Sequence, residues 1–374
     1  MRQLLLLLLL GVLARLLLLI WGNYQDNCLA VPYTDIDYYV FTDAAKLISQ
    51  GLSPYTHPTF RLSPFLALLL LPTVKWQSIG KVFFCVADCL CLLFIIKIKK
   101  QTFSSIFSVF QLALFFLNPI IINVSTRGNS DSFTCLLLLL FIHQFSHKNI
   151  VLAAIIYGFL IHWRLFPIIF GFSILIYLYK HYSSFSLFVK FKLIFKFFSI
   201  SMISFISILV FSEYFFPGYV SSGLIYHFNR VDFRHNFSGY WYFNYLVENL
   251  FSHSHATLSR IANIFRLICH FFISFKNHND LIKSFYYHSV LFIFLNSVYT
   301  VQYFSWFICF FPLIVNQIKF SRKFIFSLVL WFSLLFSWLF TAFLIEFKGF
   351  NLFFLLSIFS QVFSLYSLYF FLNI

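Results

Sequence analysis

The sequence predicts an all-α protein that crosses a membrane about twelve times. Apolar residues occupy 61% of the 374 positions, against roughly 45–50% in ordinary soluble domains. Charged residues occupy 10%, against about 25% in those domains. Because one spanning helix needs about 20 apolar residues, the apolar content suffices for about ten to twelve spans, and it exceeds what a soluble core can use.

The predicted spans begin at the N-terminus and continue to the end of the chain. The leucine-rich run over residues 1–21 continues past Arg15 to Ile20, and no small-residue cleavage site follows it. We therefore interpret it as the first span rather than as a signal peptide. The further predicted spans cover residues 79–98, 105–122, 131–146, 149–162, 165–180, 197–216, 258–275, 284–298, 303–318, 324–343 and 350–370.

Two long loops interrupt this series, at about residues 22–78 and 217–257. Both contain the glycine, proline, asparagine and aromatic residues typical of ordered connections. No serine- and glycine-rich linker, acidic tail or heptad run divides the sequence. We therefore predict a single polytopic domain that covers residues 1–374.

The charges fall into two groups when the loops alternate from a cytosolic N-terminus. One side of the membrane collects most lysines with a single acid, Asp280. This is the positive-inside pattern, and it accounts for most of the net charge of +15 without a nucleic-acid partner. Most acids lie on the opposite side together with several arginines, and this accumulation points to chemistry on the non-cytosolic face.

The first long loop contains a predicted amphipathic helix. Apolar residues at positions 40, 44, 47 and 48 share one helical face, as in a helix that lies on the membrane surface. Gly51 is placed to end this helix. Thr34, followed three residues later by Asp37, resembles a capping box at its start.

Asp35 and Asp37 are the candidate catalytic residues. Both lie at the start of the predicted helix, where the helix dipole stabilises a carboxylate. The spacing alone fits two interpretations equally. The pair caps the helix, or one aspartate is a general base held ionised at the mouth of a membrane cavity.

Polar side chains at other helix ends on this face are candidates for binding an anionic substrate. Arginine makes bidentate contacts with phosphate, and aromatic side chains offer flat apolar faces with a polar edge. The candidate substrate-binding residues are Arg61, Arg127, Asn129, His162, Arg164, Arg234, His235, Gln302, Tyr303 and Trp306.

Several of these candidates also have a purely structural interpretation. Arg127 would pair with Asp131 or with a lipid headgroup, and His162 fits an ordinary interfacial histidine. Tyr303 and Trp306 fit the aromatic belt of a membrane protein. The belt does not explain the amide side chain at position 302.

The second long loop has a structural alternative as well. Arg230 would pair with Asp232 in a salt-bridged loop. That pairing leaves Arg234 and His235 unexplained.

The seven cysteines show no metal-ligand spacing, and all but Cys28 fall within predicted spans. We therefore predict neither a zinc site nor structural disulfides. The sequence also contains no phosphate-binding loop, Gly-rich nucleotide fingerprint or serine nucleophile elbow.

Six stretches follow one another along the chain: Tyr33–Asp43 (YTDIDYYVFTD), Gly51–Tyr55, Asn118–Asn129 (NPIIINVSTRGN), Phe233–Ser238 (FRHNFS), Gln302–Trp306 (QYFSW) and Ile345–Gly349 (IEFKG). In this order they resemble the GPI mannosyltransferase 1 family, the PIG-M type enzymes of GPI-anchor biosynthesis. At the position of Arg164 the family more usually has lysine, so the positive charge is kept while the lysine geometry is not.

The resemblance implies a GT-C type glycosyltransferase in the endoplasmic reticulum membrane, with amphipathic helices in the first lumenal loop. It implies transfer of the first mannose from dolichyl-phosphate mannose to the 4-hydroxyl of glucosamine on phosphatidylinositol, forming an α1,4 bond with inversion. It also implies that the Asp-x-Asp motif is required for activity and that a small membrane subunit stabilises the enzyme.

The residues fit that reaction. A single inverting displacement needs a carboxylate that takes the acceptor proton, and cations that neutralise the phosphate leaving group. Asp35 or Asp37 supplies the carboxylate, and Arg127, Arg164 and Arg234 are candidates for the phosphate. An Asp-x-Asp pair can also hold a divalent cation, but arginines alone can serve a monophosphate, so we infer no metal.

Two alternatives stay open at this point. Another dolichol-phosphate-sugar transferase would combine the same architecture with a different acceptor. A multi-pass transporter or lipid scramblase would also have many spans. It would place ionisable residues near the bilayer midplane, where we expect only Arg15, Asp88 and Arg266.

Overall fold

The structure is a computed structural model, and it describes residues 2–99, 106–181, 186–229, 234, 236–250, 255–318 and 320–374. The regular elements in these ranges are all helical, which confirms the all-α prediction. The helices are α1 (Arg2–Cys28), α2 (Ile36–Ser49), α3 (Pro64–Leu69), α4 (Ile79–Lys99), α5 (Ile106–Phe116), α6 (Pro119–Thr126), α7 (Asp131–Ser146), α8 (Ile150–Trp163), α9 (Gly171–His181), α10 (Leu187–Phe215), α11 (Tyr226–Asn229), α12 (Trp241–Leu250), α13 (His255–Lys276), α14 (Leu281–Phe294), α15 (Ser305–Ile308), α16 (Phe311–Ile314), α17 (Arg322–Lys348) and α18 (Phe353–Leu372).

Several of these helices are suited to a membrane. Within the described ranges, 6 helical stretches are long and apolar enough to cross one, among them α1, α4 and α10. Shorter apolar helices of 10–17 residues, such as α7, α8 and α14, lie between them. The chain is a multi-pass membrane protein, and the count of about twelve spans stays a prediction.

The predicted span at 303–318 is wrong as a single helix. The structure divides this part of the chain into a 3₁₀ turn at Val301–Phe304, then α15, α16 and a second 3₁₀ turn at Val315–Gln317. Pro312 lies within the segment and has no amide hydrogen for a continuous helix. An uninterrupted apolar run does not reveal such a break, because its hydropathy is the same either way.

The chain forms two compact units. The first contains residues 1–171, 178–229 and 308–313, and in it α8 packs along α10 and α4 packs along α7. The second contains residues 172–177, 230–307 and 314–374, and in it α18 packs against α17, α14 and α12.

A buried ion pair joins α1 to α4 in the first unit. Arg15 Nη2 lies 2.9 Å from Asp88 Oδ2, and Arg15 Nε donates to the same oxygen at 3.1 Å. Arg15 Nη1 also donates to the carbonyls of Gly11 and Phe116, each at 3.0 Å. Because each charge has a partner, this pair has a structural explanation.

Helix α2 occupies the predicted amphipathic segment of the first loop. Tyr38, Phe41 and Ala44 on its buried face belong to one core. This face therefore packs on protein, whereas the sequence predicts a helix that lies on the membrane surface. The other buried members of that core are Ala45, Phe60, Leu66, Ala67, Leu70, Phe84 and Trp163.

The predicted end of this helix is confirmed. Gly51 has φ +76°, and its N–H donates to the carbonyl of Ile48 at 3.0 Å. The N–H of Leu52 donates to the carbonyl of Leu47, also at 3.0 Å. These two bonds form a Schellman motif, whose left-handed residue is most often glycine.

Candidate active site

The start of α2 presents the two candidate catalytic carboxylates. Asp35 is the N-cap, and its Oδ1 accepts the N–H of Asp37 at 3.1 Å. The predicted capping box at Thr34 is therefore wrong, since Asp35 holds that position and the Thr34 hydroxyl donates to Asp26 instead. Asp35 and Asp37 are half-buried at the N-terminal end of the helix dipole, where ionised carboxylates are favoured.

The segment between α6 and α7 is hydrogen-bonded to the start of α2. The N–H of Asp35 donates to the carbonyl of Arg127 at 2.9 Å, and Asn129 Nδ2 lies 3.5 Å from Asp35 Oδ2. Arg127 Nε donates in turn to the carbonyl of Tyr33 at 2.8 Å. The structure thus brings three predicted site residues together, one aspartate, one arginine and one asparagine.

The side chain of Tyr33 adds a further contact between the start of α2 and the end of α6. Its phenol oxygen lies 2.6 Å from Thr126 Oγ1. Burial raises the pKa of Tyr33, so the phenol stays neutral and keeps its hydrogen. Backbone and side chain of one residue therefore both bind the segment that carries Arg127.

Arg164, and not Arg127, is the arginine paired with Asp131. Arg164 Nη2 lies 2.8 Å from Asp131 Oδ1 and 3.4 Å from Ser130 Oγ. Asp131 is fully buried, and its N–H donates to Asn129 Oδ1 at 3.1 Å. The predicted pairing of Arg127 with Asp131 is therefore wrong, and its alternative pairing with a lipid headgroup stays a prediction. If Arg164 binds phosphate, its guanidinium must bind the phosphate and Asp131 at the same time.

His162, on α8, is buried among hydroxyl groups of other segments. Its Nδ1 lies 3.2 Å from Ser63 Oγ, and its Nε2 lies 2.9 Å from Ser212 Oγ. The ring lies against Tyr219, with centroids 4.6 Å apart, and the Tyr219 hydroxyl donates to the His162 carbonyl at 3.1 Å. These contacts hold α8 to α10 and to the first loop, and the predicted substrate contact stays a prediction.

Arg61 holds the first loop to the beginning of the second. Its guanidinium carbon lies 4.5 Å from the ring centroid of Tyr226, and its Nη2 donates to the carbonyl of Pro58 at 2.8 Å. His227 Nε2 lies 2.8 Å from the carbonyl oxygen of Arg61. The substrate contact predicted for Arg61 likewise stays a prediction.

Three predicted substrate-binding residues lie in or just before α15, in the second unit. Gln302 and Tyr303 belong to the 3₁₀ turn before α15, and Ser305 Oγ donates to the Gln302 carbonyl at 2.7 Å. The rings of Tyr303 and Trp306 stack with centroids 4.4 Å apart, and Trp306 is buried. This arrangement gives the aromatic pair a fixed orientation.

The remaining candidates come from the second long loop. Arg234 is exposed at a bend. His235 lies outside the described residues, as do Arg230 and Asp232, whose predicted pairing is therefore not described.

Sequence reasoning did not single out Asp26 or Lys81, which adjoin the start of α2. Asp26 Oδ1 accepts the N–H of Tyr33 at 2.6 Å and that of Thr34 at 2.9 Å. Lys81 Nζ lies 3.5 Å from Asp26 Oδ2 and donates to Thr34 Oγ1. No motif marks either residue. The available signal is that each places a charge near the end of an apolar span.

The residues around the start of α2 can combine a base, Asp35 or Asp37, with an anion-binding cation, Arg127. A guanidinium has five N–H donors, and Arg127 uses Nε for Tyr33, so its Nη atoms form the fork suited to phosphate. In the described ranges, no three His, Cys, Asp or Glu side chains are grouped to hold a metal ion.

Comparison with known proteins identifies the family. A family model described as mannosyltransferase (PIG-M) matches residues 124–374. The chain belongs to the PIG-M mannosyltransferase family. The PIG-M model includes Arg127, Asn129 and Arg164, and it begins after Asp35 and Asp37.

PIG-M relatives extend the similarity over the first loop. The GPI mannosyltransferase 1 of Candida albicans is 34% identical over 363 residues, which cover 92% of this chain and 91% of the relative. The GPI alpha-1,4-mannosyltransferase I catalytic subunit of Danio rerio is 33% identical over 351 residues, covering 92% and 89%. The Saccharomyces cerevisiae GPI mannosyltransferase 1 is 30% identical over 355 residues, covering 92% and 88%. Because 92% of 374 residues leaves about 30 outside, each comparison includes Asp35 and Asp37.

Proposed function

We propose that this chain transfers the first mannose of the GPI anchor from dolichyl-phosphate mannose to the 4-hydroxyl of glucosamine on phosphatidylinositol. The relatives named above are GPI mannosyltransferases, and one of them is named as an α1,4 catalytic subunit. The observation that carries the proposal is the backbone bond from Asp35 to Arg127. It joins the segment of the candidate base to the segment of a candidate phosphate-binding cation.

The proposed step is one displacement with inversion. Asp35 or Asp37 takes the proton of the acceptor hydroxyl while the acceptor oxygen bonds to C1 of mannose. The bond between C1 and the phosphate oxygen breaks, and its electron pair leaves with dolichyl phosphate. Arg127 neutralises that phosphate, with Arg164 and Arg234 as further candidates. Arginines suffice for a monophosphate, so the proposal includes no metal ion.

The finer architecture belongs to the same proposal. It comprises one domain over residues 1–374, about twelve spans of GT-C type, and an amphipathic first loop in the endoplasmic reticulum lumen. Both substrates are lipids and enter from the bilayer, which suits a site at the membrane face. A small membrane subunit is the proposed protein partner.

The ion pair of Arg15 with Asp88 disfavours a transporter. A transporter needs ionisable groups that its substrate or coupling ion can reach near the midplane. Here two of the three deep charges bind each other and are buried. An assay distinguishes a transferase that uses another acceptor. Membranes that contain the chain are incubated with labelled donor and glucosaminyl-phosphatidylinositol. If the chain used another acceptor, no mannosylated glucosaminyl-phosphatidylinositol would form.

The test replaces each aspartate in two ways in cells that lack their own enzyme. Asp35→Ala and Asp37→Ala remove the side-chain carboxylate, and Asp35→Asn and Asp37→Asn replace it with a neutral amide. Asp35→Asn also keeps the helix cap, because asparagine caps as well as aspartate does. Surface GPI-anchored proteins, measured by flow cytometry, report the rescue. Asp43→Ala is the matched control, since Asp43 lies on the same helix with 61% of its side chain exposed.

We expect loss of rescue for at least one aspartate in both its Ala and Asn forms, and full rescue by the control. Rescue by Asp35→Asn with loss in Asp35→Ala would make Asp35 a cap and leave Asp37 as the base. Full rescue by both Ala variants would overturn the assignment. Absence of mannosylated product with the wild-type chain would overturn the function itself.

A further inference from the structure

Asp26 contacts the two residues that precede the candidate base. It lies in the last turn of α1, and its Oδ1 accepts the N–H groups of Tyr33 and Thr34 at 2.6 and 2.9 Å. Its Oδ2 accepts the Thr34 hydroxyl. One carboxylate therefore fixes two successive peptide groups and one side chain directly before Asp35.

Lys81 completes this contact from α4. Its ammonium is buried, donates to Thr34 Oγ1, and lies 3.5 Å from Asp26 Oδ2. A carboxylate that is mostly removed from water needs a compensating charge. Thr34 lies between the two charges and is itself buried.

The segment at residues 33–35 is thus bound from two sides. Asp26 and Lys81 bind it on one side, and the segment that contains Arg127 binds it on the other, through the Tyr33 carbonyl and the Asp35 N–H. The side-chain direction of Asp35 follows from this backbone, because Asp35 is the N-cap in an extended conformation.

We propose that Asp26 and Lys81 are positioning residues for the transfer reaction, acting through residues 33–35 on the Asp35 and Asp37 carboxylates. The proposal rests on the function proposed above. An error of about 1 Å in the placement of a reacting group can cost about 100-fold in rate. The pair therefore acts on turnover rather than on lipid binding.

The competing explanation is that Asp26 and Lys81 only hold α1 against α4. The chain itself offers a control, because Arg15 and Asp88 form a second buried pair between the same two helices. That pair lies about 16 Å along α1 from Asp26 and about 10 Å along α4 from Lys81, at 1.5 Å per residue. Its loss loosens the two helices without touching residues 33–35.

The experiment compares Asp26→Ala with Asp88→Ala in the full chain, purified into lipid nanodiscs. Each single variant leaves one buried cation without its carboxylate, so both are expected to lower thermal stability. Positioning predicts that Asp26→Ala lowers kcat about 100-fold per folded molecule, with unchanged KM for both lipids. Asp88→Ala keeps the wild-type kcat. Asp26→Asn keeps an oxygen for the two N–H groups and recovers most of the loss.

A second readout does not depend on activity. Amide hydrogen exchange of a peptide that contains Tyr33 and Thr34 is expected to accelerate in Asp26→Ala and to stay unchanged in Asp88→Ala. If Asp26→Ala does not fold, Lys81→Met replaces it as the test variant. Lys81→Met should show the same acceleration of amide exchange in this peptide, with a smaller loss of kcat.

The outcomes separate the two proposals. A wild-type chain without transfer activity overturns the proposed function, whatever the variants do. If the wild type is active and Asp26→Ala keeps its kcat, or loses it only in parallel with Asp88→Ala, the positioning role is excluded. Unchanged amide exchange in Asp26→Ala excludes it as well.

Discussion

Gly128 shows how a single residue fixes the distance between α2 and the segment before α7. Its φ is +92°, a left-handed conformation that costs a residue with a side chain about 1–2 kcal/mol. A Cβ at this position would lie 2.4 Å from the ring of Tyr38. Tyr38 is fully buried on α2, so its ring has little room to move.

We expect Gly128→Ala to reduce activity about tenfold or more, because the added methyl group displaces the turn that carries Asp35 and Asp37. Gly51→Ala is the matched control: its φ of +76° imposes similar backbone strain, but nothing lies within 4 Å of the added Cβ. Rescue of surface GPI-anchored proteins, normalised to protein abundance, measures the difference. Equal rescue by both variants would show that the Tyr38 contact is unimportant.

At the same scale, sequence reasoning found the polar residues but not their partners. Local spacing offers Asp131 as a partner for Arg127, its near neighbour in sequence, whereas the structure pairs Asp131 with Arg164, the C-cap residue of α8. Local spacing favours near neighbours, and only the packing of α7 on α8 brings Arg164 within reach. Local spacing does not reveal Asp26 for the same reason, since its contact with Lys81 joins residues 55 positions apart.

At the scale of elements, α18 anchors the segment at residues 236–238 through a row of buried serines. Ser360 Oγ accepts the indole N–H groups of Trp241 at 3.0 Å and Trp338 at 2.7 Å, and it lies 3.3 Å from the carbonyl of Asn236. Ser364 Oγ donates to the Phe237 carbonyl at 3.0 Å. Small hydroxyl residues at helical spacing are typical of helix contacts in membranes.

Ser360→Ala should destabilise the protein by about 1–3 kcal/mol for each buried indole that loses this acceptor. Ser357→Ala is the control, because Ser357 is also buried on α18 but donates to the Phe354 carbonyl of its own helix. Thermal unfolding of the purified protein in detergent compares the two. The same midpoint for both variants would contradict the anchoring role of Ser360.

The accuracy of the predicted elements follows the contrast between apolar and polar residues at their ends. The span at 131–146 agrees with α7 at both ends, because Asp131 begins it and polar residues follow it. Helix α10 begins at Leu187, ten residues before the predicted span. The charges of Lys190, Lys192 and Lys196 predict a loop there, but these lysines lie in the helix. Lysine is a good helix former, so charge alone does not mark the end of a helix.

At the scale of the whole molecule, the proposed reaction requires one end of the helices to face the lumen. Asp131 begins α7 next to the candidate site, and α7 ends at Ser146, about 24 Å further along its axis at 1.5 Å per residue. Lys148, in the short segment that follows α7, lies at that opposite end. Asp35 and Lys148 are therefore expected on opposite membrane faces.

Cys28 tests this orientation directly, because it is an exposed cysteine at the end of α1, two residues from Asp26. In sealed endoplasmic reticulum vesicles, whose outer surface is cytosolic, we expect a membrane-impermeant maleimide to label Cys28 only after permeabilisation. Lys148→Cys in a Cys28→Ser background should be labelled without it. Cys28→Ser alone gives the background of the other cysteines. Labelling of Cys28 in intact vesicles would place Asp35 and Asp37 in the cytosol, on the wrong side for the proposed lumenal transfer.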